Sequence, residues 1–520
     1  MKENRFLHAL PYVVLACAFV LSVGVYALYG GHNLNSDLSS DIVFADLLNE
    51  EGKLITKNWY YSTELRIVSA VPFYQLGLLI FDSWHAARTL AVALMLALTA
   101  ASVVFLGHQA NMPLTGAYGA AALMLPVSYT SMFLFTYGGC YTVYIMMVCL
   151  ILGLLVGLKK PKGRVIRCLL LVLISFWGGL NGVRLLMICA APLLLASVLE
   201  WYLSMRDCRS IREAVCGEAA SYVWGTLGVC AAIFAGYLVN ALFISKRYAF
   251  MNFSAIENLG LQPREVIKQI QYVLEYFGLR TKGHIMSLGG VATLAALGLA
   301  ALAAISVLRM ILERKQMHSA QRLVLWFALM AMVVGIVLNM LTGMSMYTER
   351  NSVAYYLPGT LLLVVMMFFY IGEKPACMPV LRHVFMLALT AVFAFQSAAY
   401  CLTEFNRGEA DYEQTAQWLV DNGYTQGYAT FWNANVLTEA SNGEIEVYSF
   451  VDWNSKELYR WLQKTEHFET EPQGKVFVLV AHNEGRPSIA REENLAAETR
   501  QGRIYIYESA QEAMAAHRAE

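Results

Sequence analysis

Long apolar runs broken by short polar ones dominate the chain up to about residue 402. A helix that crosses the hydrocarbon core needs about 20 mainly apolar residues. Stretches of this kind lie at roughly 8–29, 86–106, 113–133, 138–158, 165–178, 185–203, 219–243, 286–312, 323–341, 352–371 and 383–402. The stretch 165–178 is short by itself and runs into Gly178-Gly179-Leu180-Asn181-Gly182, which reads as a turn at the outer surface. The opening MKENRFLHAL and the apolar run to Tyr29 lack a clear small-x-small cleavage site, so they read as a retained first span. The pattern predicts a polytopic α-helical membrane protein of about 11 spans with its N-terminus inside.

Two regions depart from that rhythm. Residues 30–85 begin with a polar loop in which DIVFADLLNEEG spaces Ile42, Ala45 and Leu48 along one helical face, and IVSAVPFYQLGLLIFD (67–82) is apolar but short and interrupted by Pro72. Both suit helices lying in the membrane interface, making a structured first outer loop. Beyond residue 402 the period changes. YEQTAQWLVDNG predicts an amphipathic helix ended by Gly423, and QGYATF, EIEVYSF, KVFVLVA and GRIYIYE predict short strands. NANVLTEASNG and NSKELYRWLQKTE read as intervening helices, and the alternation favours a mainly parallel sheet in a C-terminal α/β domain, 403–520.

Composition sharpens this division. Charged residues make up 15% and hydrophobic ones 58%, against roughly 25% charged in soluble domains. The zero net charge hides an asymmetry: residues 403–520 carry 10 basic and 20 acidic side chains, a net −10 against +10 for residues 1–402. An acidic tail excludes nucleic acid as its partner, and a basic membrane part suits anionic membrane lipids. The inner segments collect sixteen basic residues, led by Lys159, Lys160, Lys162, Arg164 and Arg167, so the tail is expected outside a plasma membrane. The loop 244–285 is the exception, an outer segment with six basic residues, Lys246 and Arg247 among them. The ten cysteines lie mostly in apolar runs and form no CxxC or other metal spacing.

Candidate chemistry concentrates just after the first span. In Asn35-Ser36-Asp37-Leu38-Ser39-Ser40-Asp41 two carboxylates four residues apart share a helical face. Partial burial and mutual repulsion would raise the pKa of one, making it a candidate general base; the other reading is a loop in which Asp37 or Asp41 caps the helix. Trp59, Tyr60, Tyr61, Glu64 and Arg66 follow, either stacking and hydrogen-bonding a sugar or anchoring the interface, with Glu64 and Arg66 paired to each other. Arg184 and Arg350 are charges at membrane depth or its rim, where snorkelling competes with a functional role. Asn433, at a strand–helix junction, reads as an N-cap or as part of an anion or sugar site. No GxGxxG, Walker, HExxH or GxSxG motif occurs in its proper context.

Three pieces in order resemble the GT-C glycosyltransferases, in particular the protein O-mannosyltransferase and lipid A aminoarabinose transferase branch with its uncharacterised bacterial relatives. They are DLSSDIVFADLLNEEGKLITKNWYYSTELR, WGGLNGVRLLMICAAPLLL and MYTERNSVAYYLPGTLLLV. That family's acidic pair is usually adjacent, whereas here Asp37 and Asp41 are separated, which leaves open which of them is the base. The resemblance implies an inverting glycosyltransferase with a polyprenyl-phosphate-linked sugar as donor and an envelope glycan, lipid or protein hydroxyl as acceptor. On this reading Asp37 and Asp41 are catalytic, and Arg184, Arg350, Lys246 and Arg247 hold the donor phosphate. Trp59, Tyr60, Tyr61, Glu64 and Arg66 bind substrate, and residues 403–520 cap the outer cavity and select the acceptor. No cofactor and no metal site is expected, although two carboxylates leave a divalent ion open. The competing classes are a lipid-linked sugar flippase or transporter and a catalytically silent envelope scaffold; the polar pieces sit at the outer rim and not at the midplane, which favours transfer.

Overall fold

The computed structural model describes residues 5–137, 140–206, 217–251, 263–280, 284–342, 353–374, 378–404 and 412–518. By its internal contacts the chain divides into two compact units: residues 1–23, 92–243 and 254–405 in one, and residues 24–91, 244–253 and 406–520 in the other. The second unit therefore joins residues 24–91 to residues of the acidic tail.

The first unit is helical. Among the described residues seven helices are long and apolar enough to cross a membrane, or eight if the pair Pro113–Met124 and Tyr129–Thr136, bent by 108°, counts as one. The sequence pattern predicts eleven. The difference lies in the shorter apolar helices Tyr141–Gly157 and Leu357–Glu373, and in Arg164–Leu180, whose 17 residues include Arg164 and Arg167. The 113–133 stretch is broken because Leu125 is extended just before Pro126, and Ser128 then caps the next turn.

Close backbone approach holds part of this unit together. A Cβ on Gly179 would lie 2.0 Å from the Ile233 carbonyl oxygen, and one on Gly236 would lie 2.1 Å from that of Phe176. Glycine at both positions lets Arg164–Leu180 and Glu218–Val239 touch backbone to backbone, as small residues do in membrane helix pairs. Nearby, Asn240 Nδ2 donates to the Leu180 carbonyl at 2.6 Å. Glu200, fully buried, accepts from Arg322 at 2.6 Å and from Trp326 Nε1 at 3.0 Å, so this carboxylate is neutralised.

The second unit has a five-stranded sheet. Its elements are α1 (Ser36–Glu51), β1 (Tyr60–Tyr61), α2 (Val71–Leu78), β2 (Ala249–Phe250), α3 (Tyr412–Asp421) and β3 (Gln426–Thr430). They continue with α4 (Phe431–Ala440), β4 (Glu446–Phe450), β5 (Val476–Ala481), β6 (Leu495–Glu498), β7 (Gly502–Tyr507) and α5 (Ala510–His517). The strand order is β4-β3-β5-β7-β6, with β3 parallel to β4 and β5, and β7 antiparallel to β5 and β6. The β5 run VFVLVA is buried at every position, as a central strand covered on both faces must be.

The expected helix at NSKELYRWLQKTE does not form. Its backbone pairs with neighbours instead: Tyr459 N donates to Ser449 O at 2.8 Å, Leu462 N to Tyr60 O at 2.9 Å, and Tyr60 N to Gln463 O at 2.9 Å. Leu462, buried, adopts φ +50°, which no helix interior allows. Outside satisfaction of backbone groups thus outweighs a helical pattern that the isolated sequence favours.

Replacing Gly236 by valine is expected to force the two first-unit helices apart, lowering the unfolding temperature of the detergent-solubilised protein by several degrees. A valine at Gly228, which has open space around the Cβ position, is the matched control and is expected to leave it unchanged.

Candidate functional site at the head of the first loop helix

The first turn of α1 carries the acidic pair. Asn35 caps it, its Oδ1 accepting from Leu38 N at 3.0 Å, so neither Asp37 nor Asp41 is spent on the cap. Gly52 ends the helix at φ +63°. Ile42, Ala45 and Leu48 are buried, but so are Val43, Phe44 and Leu47, so the helix is covered on more than the one face that their spacing predicts.

The two carboxylates have different surroundings. Asp41 is buried and ion-paired, its Oδ1 lying 3.1 Å from Arg66 Nη1. Asp37 is half-buried and has no ion pair among the described residues. Burial pushes the Asp37 carboxyl above the usual range, opposed by the charge of Arg66. Burial also raises Asp41, against Arg66 and Arg88, while the charges of Asp37 and Glu64 add to the rise. The pair therefore holds one buried, ion-paired carboxylate and one that is half-buried.

Arg66 reaches Asp41 from a backbone at φ +66°, an uncommon conformation for a side-chain-bearing residue. Glu64 is also buried. Trp59 is buried and stacked on Phe44 at 5.0 Å, and Tyr61 is edge-on to Phe44 at 5.3 Å and stacked on Phe250 at 5.1 Å. Tyr61 Oη donates to the Thr56 carbonyl at 2.8 Å. These two rings serve the packing of the loop, and their faces are already covered. Tyr60 is half-buried, its ring edge-on to Phe468 at 4.8 Å.

Arg88 is the residue that sequence reasoning missed, because it reads as one charge at the start of an apolar span. It is 0% exposed. Its Nε and Nη2 donate to the Glu439 carboxylate at 2.5 and 2.8 Å, Nη1 to Tyr74 Oη at 2.8 Å, and Nη2 to the Leu38 carbonyl at 3.0 Å. One guanidinium thus ties the first turn of α1, α2 and α4 together. A bidentate fork of this kind needs arginine, since an ammonium is a point charge.

The expected phosphate-binding cations belong to different units. Arg184, in the first unit, lies 5.0, 5.7 and 5.2 Å from the ring centres of Tyr141, Tyr144 and Tyr355. Lys246 and Arg247 are exposed in the second unit beside β2. Arg350 lies outside the described residues. Asn433 is neither a cap nor a ligand-facing group: it is buried, donates to Thr430 Oγ1 and Glu484 Oε1, and accepts from Tyr412 Oη, each at 2.9 Å. Among the described residues, no group of three or more His, Cys, Asp or Glu is placed to hold a metal ion.

No family model matches the chain, and no curated protein does. Solved structures do. ArnT from Cupriavidus metallidurans bound to undecaprenyl phosphate aligns over 96% of this chain and 97% of its own, at 12% identity and a TM-score of 0.43. The Archaeoglobus fulgidus oligosaccharyltransferase with zinc and sulfate aligns over 90% of this chain and 68% of its own, at 10% identity and a TM-score of 0.48. The aminoarabinose transferase branch singled out by sequence resemblance is thus among the similar structures. These are distant likenesses of layout, and the chemistry of the site follows from its own residues.

Truncating Arg88 to methionine would leave Glu439 buried without its partner, at an expected cost of about 3–5 kcal/mol. Removing both charges, in Arg88→Met with Glu439→Leu, is expected to restore most of that loss. Chemical or thermal unfolding of the four members of the cycle measures it.

Proposed function

We propose that the protein is an integral-membrane glycosyltransferase that moves a sugar from a polyprenyl-phosphate donor to a hydroxyl of an envelope glycan, lipid or protein at the outer face. The observation that carries this reading is the asymmetry of the acidic pair: a half-buried carboxylate, Asp37, raised by burial and held one helical turn from an ion-paired one, Asp41. A general base works best when its pKa lies near the operating pH, and burial moves a carboxylate in that direction.

In this reading Asp37 takes the proton of the acceptor hydroxyl as its oxygen attacks the anomeric carbon. The bond from that carbon to the phosphate oxygen breaks, and the phosphate departs as an anion. A single displacement inverts the anomeric configuration. The leaving group is already charged, so nearby cations can stabilise it without protonation. Lys246 and Arg247, with Arg184 and Arg350, are the groups assigned to it. Asp41 with Arg66 holds the helix turn in place and keeps a second negative charge from spoiling that role. Trp59 and Tyr61 shape the loop, which leaves Tyr60 as its candidate for touching substrate.

The test is transfer by the full chain in nanodiscs, supplied with a labelled polyprenyl-phosphate sugar and an envelope extract as acceptor. Asp37→Asn is expected to lower the rate by roughly 10²–10⁴-fold while donor binding persists. Asp41→Asn is expected to lose stability along with activity. Full transfer by a folded Asp37→Asn protein would overturn the assignment.

A further inference from the structure

A second polar site lies in the same unit, and neither Asp37 nor Asp41 lines it. A cavity of about 340 Å³ is bounded by Gly31, Ser83, His85, Glu413, Gln417 and Asn442. That volume is at the lower end of the range of small-molecule sites, about 300–1,000 Å³, and suits one sugar-sized ring or two. Its walls come from the ends of two apolar helices, Phe6–Asn33 and Trp84–Gln109, and from α3 and the turn after α4.

Glycine at position 31 keeps the cavity open. A Cβ there would lie 3.2 Å from Glu413 Oε1 and 3.9 Å from His85 Nδ1, so both polar atoms border the space over Gly31. No lysine or arginine lines the cavity, whose histidines are His32 and His85, and Glu413 makes no ion pair among the described residues. The other carboxylate, Glu439, is held by Arg88. An anionic ligand such as a phosphate would meet uncompensated negative charge here.

The polar groups already have assigned partners on one side, which decides what they offer on the other. His85 Nε2 lies 2.9 Å from the Ala27 carbonyl, which can only accept, so this nitrogen donates and Nδ1 is left toward the space over Gly31, an acceptor in the Nε2–H tautomer. Gln417 donates its amide to Asp421 Oδ1 at 2.7 Å and keeps its carbonyl oxygen. Asn442 Oδ1 accepts from Trp84 N at 2.9 Å, which leaves its NH₂ donors. Ser83 Oγ accepts from Ala86 N at 3.4 Å and keeps its O–H. The lining thus offers both acceptors and donors, and no lysine or arginine is part of it. Vicinal hydroxyls, each able to donate and accept, satisfy such a set, whereas an apolar or anionic ligand leaves it unmet.

From this lining we infer that the cavity over Gly31 binds an uncharged polyhydroxylated group, a sugar ring either free or borne on a lipid. The inference does not rest on the transfer reading, because binding requires no reaction at Asp37.

The test uses the full chain in nanodiscs. In one arm, calorimetric titration is run with glucose, galactose, N-acetylglucosamine and their disaccharides, and separately with inorganic phosphate. In the other, vesicles of phosphatidylglycerol with or without a galactosyl diacylglycerol compete for the protein. Binding of a saccharide in either arm is expected, and the arm that shows it identifies the source. Gly31→Leu, which fills the space, and Glu413→Ala, which removes an acceptor, are expected to weaken it at least tenfold with unchanged unfolding temperature. Asp37→Asn is expected to leave it intact. The inference fails if phosphate binds more tightly than every saccharide, if Gly31→Leu binds as the parent does, or if neither arm shows binding.

Discussion

A guanidinium removed entirely from water needs every one of its partners, and Arg88 has them. Its contacts to Glu439, Tyr74 and the Leu38 carbonyl come from segments far apart in sequence. Such a pair adds little net stability over apolar residues of the same shape, because desolvation cancels most of the attraction. What it does fix is geometry. The pair admits one arrangement of α1, α2 and α4, and the turn that carries Asp37 is part of that arrangement.

With that turn fixed, the division of labour between the carboxylates follows. Two equal acidic groups on one helix face would repel each other and titrate as a pair. Arg66 breaks the equality by engaging Asp41 at 3.1 Å, while Asp37 makes no ion pair among the described residues, and the proposed transfer uses Asp37 as the base. The aromatic cluster of Trp59, Phe44 and Tyr61 supports the loop from which Arg66 reaches inward.

Local patterns in the sequence were legible where the energetics are local. The acidic segment is helical, its Ile42, Ala45 and Leu48 stripe is buried, and all four tail strands form where β-branched and aromatic residues cluster. What depends on long-range pairing was not legible. Arg88 and Glu439 are single charges in unremarkable runs, and their pairing joins positions 351 residues apart. The segment around Leu458–Leu462 reads as a helix because its apolar spacing fits one, yet its backbone is taken up by Ser449 and Tyr60. The short apolar helices Tyr141–Gly157 and Leu357–Glu373 likewise carry the composition of spans without the length. Trp59 and Tyr61 look like ligand-stacking rings in sequence, and only their neighbours show that the faces are covered.

The pH dependence of sugar transfer tests the central claim, that a burial-raised carboxylate at Asp37 is the base. A base must be deprotonated, so the rate is expected to be constant at higher pH and to fall as pH drops through the raised pKa of Asp37. The midpoint of that acid limb is then expected above the ordinary aspartate value of about 3.9, and the limb is expected to vanish in Asp37→Asn against a low residual rate. An acid limb that persists unchanged in a folded, active Asp37→Asn protein would contradict the account.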